Sequence, residues 1–313
     1  MFDIISVGSA TRDVFVQCDG FSSNGNEDMC FTLGSKIEIH KMELATGGGG
    51  TNYAVTFARQ GFKTACVGVI GNDPNGDAVL SELDSEGIDT SMFIRHTDDL
   101  TAYSVILVHP SSERTILSYK GEGQHFASSQ IDFSKLQTKW LFLDSLGGHY
   151  DLFEKLVDHA VKNNIKIACN PGGKELAHGM AKLKPLFKNM DIVLMNKEEA
   201  GGLLDIGHDA LNIGEIAENL KTYVKGIVSV SDGPNGVTVI DTDGKTHTAG
   251  IPNTPVVERT GAGDAFGSGF ISEFIRSQDI EKAIQLGTDN ASSVVMYFGA
   301  KRGILKKGEI LKK

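Results

Sequence analysis

The sequence predicts an α/β protein with a doubly wound, mainly parallel central sheet and a second, small β-sheet. Three observations predict it. From about residue 140 onward, short apolar runs alternate with stretches of helical spacing, the pattern of strands joined by crossover helices. Two separated β-rich stretches, 14–46 and 98–120, break that alternation, and each is too short to bury a face alone. Glycine is in excess, with 37 of 313 residues against a usual share of roughly 7%, so tight turns and close backbone approaches are numerous.

The elements follow in chain order. "DIISVG" (3–8) is an apolar strand ending in Gly. "VFVQC", "MCFTLG" and "KIEIHKMEL" alternate in part between Gly, Asn and Ser, as hairpins with one wet face do. Ala54, Phe57 and Ala58 have helical spacing, and "TACVGVIG" (64–71) is one buried strand. After the "NDPNGD" turn, Val79, Leu80 and Leu83 mark a short helix ended by "EGID". "TAYSVILVHPSSERTILSYKG" is two strands around a "PSSE" turn, and with 14–46 it can complete one small sheet. Strands are predicted at "WLFLD", "IKIAC", "DIVLM" and "GIVSVS", with helices near 151–163, 175–188, 197–204 and 212–223. "GVTVIDTDGKTHTA" is a hairpin around Asp243-Gly244, and helices near 264–276 and 280–298 close the chain.

Composition narrows the function classes. A net charge of −10 argues against nucleic acid, because phosphate contact needs a basic face. No apolar run approaches the roughly 20 residues of a membrane span, and "MFDIISVGSA" lacks the basic start of a signal peptide, so a cytoplasmic protein is expected. Cys18, Cys30, Cys66 and Cys169 form no CxxC, and reduced, buried thiols are expected.

The stretch "VVERTGAGDAFGSGF" (256–270) carries the chemistry. Glycine turns that open a helix present unpaired N–H groups and suit anions. Phe266, Phe270 and Phe274 recur every four residues and fix the following helix to the core. Asp264 at that start reads by itself as an N-cap. A cap needs no series of small residues ahead of it, whereas close approach of a phosphate does. A carboxylate beside an anion nest suits phosphoryl transfer, with the N–H groups steadying phosphoryl oxygens and the carboxylate taking the hydroxyl proton. The commoner nucleotide motifs fail on context. Gly244-Lys245-Thr246 ends like a Walker loop, but position 239 is Val, and Gly261, Gly263 and Gly267 give GxGxxxG far from any first strand.

"GAGDAFGSGF" and "GGGGTNYAVTFARQGFKTACVGVIGNDPNGD" (47–77) resemble the two signatures of the ribokinase-like (PfkB) carbohydrate and nucleoside kinases, and the element order agrees along nearly the whole chain. The resemblance implies an α/β domain of 1–13, 47–97 and 121–313, with 14–46 and 98–120 as a β-sheet lid. It implies ATP-dependent transfer to a hydroxymethyl group of a sugar or nucleoside, with Asp264 as general base and Gly261, Ala262 and Gly263 as anion hole. Asp13, Gly48, Gly49 and Asn52 would bind the acceptor's hydroxyls. Asn196 and Glu199 match the NxxE motif that organises Mg²⁺ through the ATP phosphates, with no direct protein ligand to the metal. Ser231, Gly233 and Gly236 would line the ATP site, together with Asn290 or Thr288 on the last helix.

This chain departs from the family at Gly49, where ribokinases carry Lys, at Thr11, where they often carry Asn, and at Glu258, where an Asp is usual. The last change leaves a monovalent-cation site open, and Arg259 is also unusual for the loop. Two rivals stay in view: a sugar-phosphate kinase, with Arg12, Arg95, Arg114 and Lys120 as candidate cations, and a non-catalytic sugar- or nucleoside-binding regulator on the same fold. A nucleoside acceptor would call on Phe15, Phe31, Tyr103 or Tyr119 for stacking. Phe31, Ile37, Ile39, Val105, Leu107 and Ile116 are expected on the outer face of the small sheet, where they would support a homodimer built lid against lid.

Overall fold

The computed structural model describes residues 1–18, 22–23, 29–109, 113–206 and 212–311. The chain enters through β1 (Phe2–Val7) and β2 (Thr11–Gln17), passes the short pair β3 (Ser22–Ser23) and β4 (Met29–Cys30), and returns as β5 (Lys41–Gly47). Helix α1 (Gly49–Arg59), β6 (Thr64–Val67), β7 (Val69–Gly71) and α2 (Pro74–Ser85) follow. Asp73 caps α2 by accepting from the Gly76 N–H at 2.8 Å, and Pro74 fits the first helical position because no donor is needed there. Next come β8 (Ile94–His96), β9 (Tyr103–Val108) and β10 (Arg114–Tyr119).

From β11 (Thr138–Leu143) strands and helices alternate as expected: α3 (Tyr150–Lys162), β12 (Lys166–Cys169), α4 (Gly173–Leu176), α5 (Met180–Phe187), β13 (Ile192–Asn196), α6 (Lys197–Leu203), α7 (Ile213–Lys221) and β14 (Ile227–Ser231). The hairpin β15 (Val237–Ile240) and β16 (Thr246–Ala249) precedes α8 (Ala262–Ser277) and α9 (Ile280–Val294). One helix was expected over 175–188, but Gly179, at a φ of +80°, breaks it into α4 and α5.

The large sheet runs β16-β15-β14-β13-β12-β11-β1-β6, parallel from β6 to β14 and antiparallel only at β15 and β16. Its strands are apolar on both sides, as a doubly covered sheet requires. Leu141 and Leu143 face the layer of α3, α5, α6 and α7, while Trp140 and Phe142 face α1, α8 and α9. The phenylalanines of α8 pack as expected, with Phe270 fully buried and stacked between Phe266 and Phe274 at 6.1 and 6.3 Å. Among the described residues no helix is long and apolar enough to cross a membrane. Cys18, Cys66 and Cys169 are buried thiols, whereas Cys30 is exposed.

The small sheet has the order β10-β9-β2-β5, with β2 and β9 parallel and the outer pairs antiparallel. Its first strand begins at Thr11, so Asp13 lies within the sheet rather than just before it. The alternation of "KIEIHKMEL" gives strand only from Lys41. "TACVGVIG" splits at Gly68, where β6 stays in the large sheet and β7 leaves to pair with β8. Pro110–Ser112 of the predicted "PSSE" turn, and 19–21 and 24–28 of the first β-rich stretch, lie outside the described residues. Period-two alternation puts Asp13, Ser104 and Ser118 in one row across the inner face, and Ile106 pairs with Ile116 beside them. Ile116 therefore belongs to the inner face, not the outer one.

Candidate active site

Helix α8 begins at a turn that requires glycine. Gly261 has a φ of +79°, and a Cβ there would sit 2.3 Å from the Cβ of Ala300. Gly261, not Asp264, is the N-cap; Asp264 is the third helical residue and makes no capping bond. The Gly263 and Asp264 N–H groups have no acceptor among the described residues, since the helix has no earlier turn to supply one. A Cβ on Gly263 would meet nothing within 4 Å, so the helix start opens directly onto space.

Two clefts meet at this turn. The first lies under the small sheet and is lined by Asp13, Gly48, Gly49, Asn52 and Ser104. The second runs past the C-terminal ends of β13 and β14 and is lined by Asn196, Glu199, Ser231, Gly233, Gly236 and Thr288. Gly261 and Asp264 line both. Asn290 does not: it is fully buried, donating to the Ala265 carbonyl at 2.8 Å and accepting from the Leu305 N–H at 2.9 Å. Its amide clasps α8 and the C-terminal segment, so of the two residues weighed on the last helix, Thr288 reaches the cleft.

In the first cleft the Asn52 amide donates to Asp264 at 2.7 Å, which leaves the Asn52 Oδ1 buried without a partner. Asp13 is buried and accepts from Thr11 Oγ1 at 2.9 Å. A Cβ on Gly47 would strike the Asp13 carboxylate, and one on Gly48, at a φ of +90°, would strike the Ser9 carbonyl. Burial raises the pKa of both Asp13 and Asp264; Asn52 and the buried Lys301 oppose the rise at Asp264. Asp144, behind Gly49, accepts from Ser9 Oγ at 2.8 Å, and burial and the nearby Asp264 charge push its pKa up to about 7. The two carboxylates interact, so they titrate as a pair, and burial favours the protonated form of each.

In the second cleft Asn196 and Glu199 cap α6 reciprocally, the Glu199 N–H on Asn196 Oδ1 at 2.7 Å and the Asn196 N–H on Glu199 Oε2 at 2.9 Å. Glu199 also faces the cleft, and burial raises its pKa. Gly236, at a φ of +101°, leaves no room for a Cβ beside the Ala249 carbonyl. Glu258 is buried and accepts from the Thr260 N–H at 2.6 Å and the Gly299 N–H at 3.2 Å, tying the loop before the turn to the chain beyond α9.

Arg259, unexplained by the sequence, lines the second cleft beside Arg114 of β10. Eight buried side-chain polar atoms have no hydrogen-bond partner among the described residues, and six belong to residues lining these clefts: Asn52, Thr260, Tyr53, Ser229, Arg114 and Arg259. Buried polar atoms are seldom left unpaired, so their concentration here marks a place built for a polar ligand.

The other candidate cations separate. Arg95 pairs with Asp77 at 2.6 Å away from both clefts, Arg12 donates to the Ala45 carbonyl at 3.3 Å, and Lys120 lines the first cleft. None of the four aromatics proposed for stacking lines a cleft. Phe15 is buried in the small sheet's own core, and Tyr119 is exposed and bonded to Asp99. Sequence reasoning missed Asp144, Lys301 and Lys174; Asp144 closes the predicted "WLFLD" strand, a strand-end carboxylate that carried the one available signal.

Residues 1–307 match the family described as pfkB family carbohydrate kinase. The chain is 27% identical over 289 residues to a ribokinase of Haemophilus influenzae, a match covering 89% of this chain and 90% of that one. The solved ribokinase of Thermotoga maritima superposes with a TM-score of 0.78 at 25% identity, over 98% of this chain and 97% of that one. Arabidopsis thaliana ribokinase, solved in complex with ribose and ATP, shares the fold at a TM-score of 0.80 and 20% identity, over 98% of this chain and 96% of that one.

Proposed function

The chain belongs to the pfkB carbohydrate kinase family, and is thus a phosphotransferase acting on sugar or nucleoside alcohols; within it we propose transfer of the ATP γ-phosphoryl group to a hydroxymethyl group. The observation that carries this reading is that Gly261 and Asp264 line both clefts, so a phosphoryl donor in one and a hydroxyl in the other would meet at Asp264.

On this reading Asp264 takes the proton of the attacking hydroxyl, held in aim by the Asn52 amide. The unpaired Asn52 Oδ1 and the Asp13 carboxylate accept from the acceptor's other hydroxyls, and Gly48 and Gly49 let the backbone come close. The helix start at Gly261, Ala262 and Gly263 steadies the phosphoryl oxygens through N–H groups and the helix dipole. Ser231, Gly233, Gly236 and Thr288 border the nucleotide. Mg²⁺ carried by the ATP phosphates would neutralise their charge, and Asn196 and Glu199 stand where they can orient its water shell. The partition into an α/β body and a lid of 14–46 and 98–120 follows the same reading, with the lid covering the acceptor. The working compartment is the cytoplasm, which supplies ATP and keeps Cys66 and Cys169 reduced.

ADP release with a panel of sugars and nucleosides tests the reading. For the acceptor that works, Asp13→Ala is expected to raise KM by about 10–100-fold, the scale of losing an ionic hydrogen bond, with nucleotide affinity unchanged. Equal loss of both affinities by calorimetry would contradict the division between clefts.

We further propose that the outer face of the small sheet joins two copies. Met42, Leu44 and Leu117 are 58%, 54% and 56% exposed there, on the two outer strands, with the buried Val14 and half-buried Val105 between Leu44 and Leu117 in one row. An apolar surface of this kind is uncommon on a monomer. Sedimentation at micromolar concentration is expected to give a dimer, and Leu44→Glu with Leu117→Glu a monomer; a wild-type monomer with and without substrate rejects the interface.

A further inference from the structure

The charged side chains of the first cleft divide into two groups. Asp13 and Asp264 stand at the end where the transferred group would arrive. The other two, Lys120 and Lys174, come from segments remote from both: Lys120 directly follows β10, and Lys174 belongs to α4. The register measures the gap. Asp13 pairs with Ser104 and Ser104 with Ser118, so Lys120 stands two strands across from Asp13, about 10 Å at ordinary strand spacing, and two residues further along. Lys120 has left the strand, with a φ of −82° and a ψ of −27°, and lines the same cleft as Ser118 from the turn that follows β10. A five- or six-carbon sugar fills that gap, with a terminal group at the lysines.

Neither ammonium has a carboxylate partner among the described residues, although the chain carries a net charge of −10. Both are exposed, and an anionic acceptor would give them a counter-charge inside the cleft that a neutral sugar or nucleoside would not. Resting on the kinase reading, and deepening it, we propose that the acceptor is an anionic sugar, a phosphate ester or a sugar acid, whose charged end is held by Lys120 and Lys174 while the opposite hydroxymethyl group faces Asp264. The two ends of the cleft then match the two ends of the substrate. Carboxylates take the hydroxyls, and ammonium groups take the anion. Arg114 and Arg259 serve the other cleft, so the four cations do not compete for one group.

The test uses matched acceptors: a pentose or hexose, its terminal phosphate ester, and the corresponding sugar acid. The wild-type enzyme is expected to favour one anionic member over its neutral counterpart in kcat/KM, and the phosphate and carboxylate arms identify which. Lys120→Gln with Lys174→Gln is expected to erase that preference, a loss of about 10–100-fold carried by KM with kcat nearly unchanged, as two exposed ionic hydrogen bonds would give. Equal use of neutral and anionic acceptors, unaltered in the double variant, overturns the proposal. Calorimetry on the same pairs without nucleotide separates this outcome from failure of the kinase reading. A binding preference for the anionic member that the double variant loses supports the proposal even without turnover, and no preference overturns it however fast transfer is.

Discussion

Asp264→Asn is expected to lower kcat by about 10²–10⁴, the usual contribution of a positioned general base, while nucleotide affinity stays near that of the wild type. The substitution keeps size and shape, and the new amide oxygen can still accept from Asn52, which donates to Asp264 at 2.7 Å. Only the capacity to take a proton is removed. The same assignment fixes the pH dependence. Burial raises the Asp264 pKa above that of an ordinary aspartate, and the base works only when ionised. Activity therefore falls on acidification, beginning at a higher pH than an exposed aspartate would set. Asp144, raised to about 7 partly by the Asp264 charge, titrates together with it, so the acid limb belongs to the pair. A variant within tenfold of wild-type kcat, measured with its own acceptor at saturation, would overturn the base assignment.

How far the site could be read from the sequence depended on how local each feature is. Asp264 and Asn52 sit inside glycine runs whose spacing already implies tight turns, and Gly261 has a φ of +79° that L side chains rarely adopt. Lys301 and Lys174 were silent, and Asp144 showed only its place at a strand end, because their significance comes from segments far along the chain. Asp144 matters through Ser9 and Gly49, and Lys301 through Thr46, Glu82 and the charge of Asp13. Asn290 was misread for a related reason. A polar residue on a helix beside the nucleotide side looks available until the Ala265 and Leu305 backbone groups are found to use both ends of its amide. The same limit applies to the fold. Alternation predicted the large sheet well, since each parallel strand is a continuous apolar run. It overextended "KIEIHKMEL", where the strand begins only at Lys41, and it could not see that "TACVGVIG" serves two sheets.

Arg114→Ala and Arg259→Ala are each expected to lower kcat by about 10²-fold, the order found when one donor to a developing anion is removed. Both side chains line the cleft that ends at Gly261, Ala262 and Gly263, and both have a buried Nε without a hydrogen-bond partner among the described residues. The Glu113 carboxylate lies 3.7 Å from Arg259 Nε, too far for a hydrogen bond. Two guanidinium groups line one cleft with other unpaired polar atoms, and on the proposed reading the phosphoryl group in transfer is the anion they meet. Lysine should restore little of the loss, because an ammonium cannot make the paired, planar contact with phosphate oxygens. The two arginines also differ in how they arrive. Arg259 sits in the loop leading into α8 and is fixed relative to the base, whereas Arg114 opens strand β10 of the lid sheet. If lid closure over the acceptor carries Arg114 to the phosphates, its loss must also weaken the dependence of ATP turnover on acceptor, so Arg114→Ala should shrink the ratio of ADP release with and without acceptor more than Arg259→Ala does. The double variant should cost less than the product of the two single losses, since both act on one group. Unchanged kcat in either single variant, with unchanged thermal stability, removes that arginine from the reaction.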